Sequence, residues 1–220
     1  MENLKYRAGE DPFHLGTRLL RRLKTSWLRR TYPFYAIGAG VSIDFSCDIP
    51  RPMSPDISIG NDVYLAPDVW LTVIPGGQKD IRPRLVLGDR CSIGKRTSIS
   101  AHNQIIVEPS VLMGPSVVIM DYNHEFSDPE LPIRDQGVNA GGRVLIEKNC
   151  WIGQGAAILC GRGELILGRN SVVGANAVVT RSCPPFSVLA GNPAKIVRTF
   201  DPDSGVWKRT VDEAPASLTR

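Results

Sequence analysis

Aromatic side chains are scarce in this chain, 7% of its 220 residues, and histidine occurs only three times, as His14, His102 and His124. A zinc centre of three imidazoles would need all of them, and His14, in the basic N-terminal segment, makes that set hard to assemble; the missing aromatic interleaving argues against nucleic acid as a partner. No apolar run reaches the ~18 residues that a membrane-crossing helix requires. Residues 1–11 are polar and no apolar stretch precedes a small-residue cleavage site, so a cytoplasmic protein without a secretory leader is expected. The five cysteines, Cys47, Cys91, Cys150, Cys160 and Cys183, show no C-x-x-C spacing. Buried free thiols are the expected reading, and neither a metal nor a redox pair is called for.

What the chain does have is a period. Between Ile57 and Thr180 an aliphatic residue recurs every six positions, usually followed by glycine or another small residue. The aliphatic positions run Ile59, Leu65, Leu71; Leu87, Ile93, Ile99; Met113, Ile119; Ile146, Ile152, Ile158; and Leu167, Val173, Val179. Six is neither the helical period nor a plain strand's. A short strand followed by a turn of about a third of a circle accounts for it, three such units closing a triangular coil and the coils stacking at roughly 4.8 Å. The fold class expected is therefore all-β, a parallel solenoid with the aliphatic residues pointing inward and their small followers turning the corners.

Interruptions of the period mark loops leaving the body. Pro75 to Pro83 is one, and Asp121 to about Gly142 is the longest, with Pro129, Pro132, Gly137, Gly141 and Gly142 working against regular structure and His124 near its start. A short excess surrounds Gly161-Arg162-Gly163, and the register slips by two residues at His102-Asn103. The solenoid is assigned to residues 51–200, preceded by a lead-in over 1–50 and followed by an irregular tail over 201–220, for which a short helix or a mobile segment is expected. In the lead-in, Arg18 to Arg30 places Leu19, Leu20, Leu23 and Trp27, with Leu28 as a further member, at near-helical spacing among six basic residues, which predicts a short amphipathic helix. Two roles fit residues 14–30: a cap over the open end of the apolar column, or peripheral contact with an anionic membrane.

The repeat, the loop opening Asp121-Tyr122-Asn123-His124, the run Val-Leu-Ile-Glu-Lys-Asn-Cys-Trp-Ile-Gly at 144–153 and Ala-Gly-Asn-Pro-Ala-Lys at 190–195 resemble the hexapeptide-repeat O-acetyltransferases. Within them the chain is most similar to the sugar acetyltransferase branch that includes galactoside and maltose acetyltransferases. The resemblance covers residues 57–198 and implies a left-handed parallel β-helix, a homotrimer, acetyl-CoA as donor and a sugar hydroxyl as acceptor. It places a general base at His124, the chemistry suiting an imidazole because a thioester is already activated and only the hydroxyl proton must be taken. Asp121, Glu125 or a loop carbonyl are the alternatives for orienting that ring, and Asp121 serves equally well as a cap on the turn leaving the coil. For the donor, the resemblance implies contacts from Gly153, Gln154, Ala175 and Thr180, with Lys195 and Arg198 toward the nucleotide phosphates and the Gly142 N–H as the candidate oxyanion donor. Galactoside-type relatives carry an upstream asparagine where this chain reads Ile-Gly-Lys-Arg-Thr-Ser at 93–98, which leaves Asn103 or Asn123 for the acceptor. N-acyl transfer to an amine, which would use the same base, and a non-catalytic β-helix scaffold are the competing functions.

Overall fold

The six-residue period becomes a left-handed parallel β-helix. The computed structural model of the chain describes residues 12–78 and 80–210; the expectations for residues 1–11 and 211–220 and for the His14 side chain lie outside the described residues. Helix α1 (Pro12–Thr31) leads in, followed by β1 (Ala36–Ile37), β2 (Ser42–Ile43) and a 3₁₀ turn at Arg51–Asp56. Coils of three strands then follow: β3 (Ile57–Ile59), β4 (Tyr64–Leu65), β5 (Trp70–Val73); β6 (Leu85–Leu87), β7 (Ser92–Ile93), β8 (Ser98–Ala101); β9 (Gln104–Val107), β10 (Leu112–Met113), β11 (Val118–Met120); β12 (Gly141–Ile146), β13 (Trp151–Ile152), β14 (Ala157–Leu159); β15 (Arg162–Leu167), β16 (Val172–Val173), β17 (Val178–Val179). First strands of successive coils stack in the order β1-β3-β6-β9-β12-β15, second strands as β2-β4-β7-β10-β13-β16, and third strands as β5-β8-β11-β14-β17, giving three walls.

Register makes each wall a ladder of like residues. On the first wall Ile59, Leu87, Val107, Ile146 and Leu167 pair in succession. On the second the ladder is Ile43, Leu65, Ile93, Met113, Ile152 and Val173, and on the third Leu71, Ile99, Ile119, Ile158 and Val179. All of these side chains are buried, so the three ladders face one another as a single apolar column. Burial of a Leu or Ile is worth about 1.5–3 kcal/mol, and here the gain repeats at every rung.

The corners work differently from the sequence expectation. On the first and second walls the chain turns at the residue three places after each inward aliphatic one: Asp62, Asp68, Arg90, Arg96, Ser110, Ser116, Asn149, Gly155, Asn170 and Asn176 all lie at φ between 55° and 68°. That is the left-handed region, which Asn, Asp and Gly enter at least cost. The small follower has another task. A Cβ on Gly94 would lie 2.3 Å from the Gly114 carbonyl oxygen of the next coil, and one on Gly153 would lie 2.7 Å from the Ala175 nitrogen. These positions are small because the neighbouring coil passes over them.

Both ends depart from the expected boundaries. Solenoid strands begin at Ala36, ahead of residue 51. Helix α1 extends beyond the 18–30 stretch and packs on the first coil through buried Leu28 and through Thr25, whose hydroxyl accepts the Ile43 N–H at 3.0 Å, so it covers that end of the column. At the other end no helix follows residue 200 among the described residues. Strand β18 (Ser187–Ala190) continues the second wall, then β19 (Lys195–Asp201) and β20 (Val206–Arg209) add to it antiparallel. Asp201 sets the turn by accepting from the Asp203 N–H and the Ser204 hydroxyl and pairing with Lys208, while the Phe200 ring packs between Phe186, tilted to it, and Trp207, edge to face. A polar run that reads as a tail is thus the turn of a hairpin. The five cysteines are free and buried, as expected.

Truncating the column should cost far more than trimming its outer surface. Ile152→Ala is expected to lose about 2–5 kcal/mol in urea unfolding, whereas Leu112→Ala, half exposed on the adjacent strand, should lose about 1 kcal/mol or less. Burial also pushes the Cys47 thiol up to about 11 and the Cys150 thiol up to about 12. The fold therefore favours the neutral thiol, and its stability should fall as pH rises from about 9, where an unfolded chain begins to ionise, toward these values. Iodoacetamide at pH 8 should leave both cysteines unlabelled in the native protein and label them once urea unfolds it.

Candidate functional site

Every interruption of the period falls at one corner, where the third wall hands over to the first. Residues 74–84, 102–103, 121–140 and 160–161 leave successive coils there, one above another. Elsewhere the turn is fixed by the left-handed residue; at this corner the chain is free to lengthen. The long loop carries one short helical turn, α2 (Ile133–Gln136), which its prolines and glycines did not suggest.

Asp121 holds this corner together. Its side chain is fully buried, with Oδ1 accepting the His102 N–H at 2.6 Å and Oδ2 accepting those of Asn103 and Gln104 at 2.9 and 2.7 Å. Its backbone carbonyl accepts the Gly142 N–H at 2.6 Å. Burial pushes this carboxyl above its ordinary range, against the three N–H donors that pull it down. Asn103 is committed as well: its Oδ1 accepts the Gln78 N–H and its Nδ2 donates to the Ala140 carbonyl at 2.7 Å, joining the two long loops. His102 is buried between Tyr122, at 5.9 Å between rings, and the loop at Gly76, and burial holds it below its usual pKa with help from Arg84. Arg84 in turn donates to the His102 and Ile74 carbonyls and pairs with Asp56 at 2.7 Å.

Several expectations change on this geometry. Asp121 does not orient His124; of the alternatives weighed from sequence, it is the cap. The Gly142 N–H is already bonded to the Asp121 carbonyl, and Asn103 is buried with both ends of its amide bonded to the loops, which takes both out of reach of a substrate. His124 is exposed, and its Nδ1 lies 3.3 Å from the Gly137 carbonyl, a residue that adopts φ 79°. In the tautomer protonated at Nδ1 the ring donates to that oxygen and Nε2 keeps a lone pair. Glu125, the other alternative, instead accepts from the Phe126 and Ser127 N–H groups.

Beside this loop lies a cavity of about 580 Å³ lined by Asn123, Phe126, Asn139, Cys160, Arg162, Glu164 and Thr180 among others. It brings together Asn123 and Thr180, which were singled out from sequence, with Asn139, Arg162 and Glu164, which were not. Asn139 is the pivot: its Oδ1 accepts from Asn123 and Gly141 N–H groups and its Nδ2 donates to the Gly161 carbonyl. The available signal was its type, since Asn readily bonds nearby backbone in tight loops. Gly153, Gln154 and Ala175 sit apart, at the corner between the second and third walls, with the Gln154 carbonyl accepting the Asn176 N–H. Lys195 is exposed at the start of β19, opposite Ala190, with Arg198 further along the same strand. Among the described residues no three metal-ligating side chains converge.

Comparison with known proteins finds the repeat in acyltransferases. The profile described as "Hexapeptide repeat of succinyl-transferase" matches residues 143–181. SACOL2570 of Staphylococcus aureus (strain COL), named an acetyltransferase, is 41% identical over 70 residues, 32% of this chain and 34% of that protein. WbbJ of Escherichia coli (strain K12), named a lipopolysaccharide biosynthesis O-acetyl transferase, is 34% identical over 100 residues, 42% of this chain and 49% of that one. The match thus spans about half or less of these curated relatives' length. AntD, an N-acyltransferase from Bacillus cereus in complex with dTDP and 3-hydroxybutyryl-CoA, shares the fold with a TM-score of 0.64 at 20% identity, over 80% of this chain and 87% of that one. The Vibrio cholerae hexapeptide-repeat containing acetyltransferase VCA0836, complexed with acetyl coenzyme A, does so with a TM-score of 0.57 at 19% identity, over 90% and 94%. The resemblance read from the motifs stands in the repeat and in the left-handed β-helix fold.

If Asp121 is the structural pin of the corner, Asp121→Ala should cost about 3 kcal/mol or more, since three buried N–H groups lose their acceptor at ~1–3 kcal/mol each. Native-state hydrogen exchange should speed at residues 102–104 and 142, and Asp121→Asn, which keeps one oxygen, should fall between the two.

Proposed function

We propose that this hexapeptide-repeat β-helix is a CoA-dependent O-acetyltransferase that moves acetyl from acetyl-CoA to a hydroxyl of a sugar or surface-polysaccharide precursor, with His124 as general base. The observation that carries this reading is an exposed imidazole, held by a loop carbonyl through one nitrogen, on the loop whose Asn123, Phe126 and Asn139 line the cavity. His124 Nε2 takes the hydroxyl proton as the alkoxide oxygen bonds to the thioester carbon. The tetrahedral intermediate then expels CoA as its thiolate, and the imidazolium returns the proton to that sulfur. Asn123 presents its amide to the acceptor from the rim of the cavity.

Acetyl-CoA is assigned to the outer face of the third wall. One corner of that wall holds Gly153, Gln154 and Ala175 and the other opens on Thr180 and the cavity, while Ala157 and Val178, paired between them, leave a shallow floor. Lys195 and Arg198 supply charge for the phosphates. A homotrimer would complete the groove: the long loop exposes Phe126, Leu131 and Ile133 at 71%, 52% and 56%, apolar surface of the kind a neighbouring chain covers. The name of WbbJ supports an O-linked acceptor in surface-polysaccharide synthesis. Because the fold is shared with an N-acyltransferase, an amino sugar is the second acceptor class, and the same base would serve it.

His124→Ala should lower kcat by roughly 10²–10⁴-fold with acetyl-CoA affinity and native mass unchanged. Free-thiol release in an acceptor screen of sugars, lipid-linked sugars and amino sugars measures it. Turnover equal to that of the unaltered protein would remove His124 from the mechanism.

A further inference from the structure

The structure leaves one surface that acyl transfer does not use. Helix α1 buries Leu28 and Thr25 against the first coil, and its helical period turns Leu19, Leu20, Leu23 and Trp27 the other way. These four are 47%, 49%, 59% and 54% exposed. Phe45, 66% exposed, stands beside them because Lys24 donates to the Phe45 and Cys47 carbonyls, at 2.6 Å each, and lies 5.7 Å from the Phe45 ring centre. Leu20, Leu23, Trp27 and Phe45 with the Lys24 stem line an apolar hollow of about 500 Å³. Where α1 meets the body, Arg18, Arg21 and Arg22 line a second hollow of about 530 Å³ together with Thr25, Val41 and Asp62, and Arg21 pairs with Asp44 at 2.6 Å. Six Lys and Arg residues and no Asp or Glu occur in α1.

We propose that α1 and the turn carrying Phe45 dock the protein on an anionic phospholipid bilayer. An apolar stripe bearing tryptophan, with basic residues along its shoulder, matches the two layers such a surface offers. Leu23, Trp27 and Phe45 enter the acyl boundary while Arg22 and Arg30, exposed on α1 and bordering the stripe, meet the phosphates. The charge decides the occupant: α1 carries six cations, Arg21 among them paired with Asp44, so a second copy would bring like charge against it, whereas anionic headgroups neutralise it. The helix lies flat, being too charged to span. Capping and docking use different faces of α1, so the two roles expected from sequence are compatible. The proposal stands apart from the transferase reading.

The full chain sedimented with vesicles tests it. Binding is expected to phosphatidylcholine mixed with phosphatidylglycerol, to fall as salt rises, and to be absent on phosphatidylcholine alone. Trp27→Ser combined with Phe45→Ser should weaken it roughly tenfold or more, while Leu112→Ser, exposed on a distant strand, should leave it unchanged. All three positions are exposed, and far-ultraviolet circular dichroism confirms that the variants fold. Failure to bind the anionic vesicles, or equal binding by the double variant, would overturn the proposal. So would vesicle-independent self-association abolished by the double variant, which would make a second copy the occupant.

Discussion

Parallel stacking of coil on coil is the constraint from which the rest of this molecule follows. Each coil satisfies the wall backbone of the next, so every coil must return to the same place after three turns, within roughly 4.8 Å. An inward aliphatic residue keeps the ladders of the column filled, a left-handed residue three places later turns the chain, and a glycine or other small residue lets the adjacent backbone pass. Extra residues are tolerated only where none of these is required. That place is the corner between the third and first walls, and both long loops leave from it.

Loops that share a corner must be fastened to it. The buried Asp121 carboxylate does this by closing on three backbone N–H groups of the coil before it, while the Asp121 carbonyl closes on Gly142 at the far end of the long loop. Asn103 and Arg84 tie in the shorter loop. The result is a rigid base under an exposed imidazole, an arrangement in which position is set by backbone and chemistry is left to a single side chain. The proposed reaction needs little more, because the thioester supplies the activation and the solenoid wall supplies a straight bed for the donor.

The column was legible because six-residue spacing has one simple geometric meaning: every aliphatic residue read from the period lies on an inward ladder. The corner was legible only as a set of interruptions. That the interruptions stack, and that Asp121 serves the backbone rather than His124, depends on which coils lie next to which, and residues 102 and 121 are neighbours only after a full coil closes. Asn103 and Gly142 were misassigned for the same reason, since their polar groups are consumed by loops distant in sequence. The hairpin after residue 194 is hard to read from sequence because alternation in β19 and β20 is weak, β19 being only partly covered and β20 exposed throughout; its clearest trace is the Asp-Pro-Asp-Ser-Gly turn at 201–205.

The central claim, that one face of this solenoid is a bed for an acyl-CoA, is tested most directly by titration calorimetry of the purified protein with acetyl-CoA. Saturable binding near one molecule per chain is predicted, with free CoA competing for the same site. Absence of heat at millimolar ligand, from protein shown to be folded and assembled, would contradict it and leave the β-helix as a scaffold.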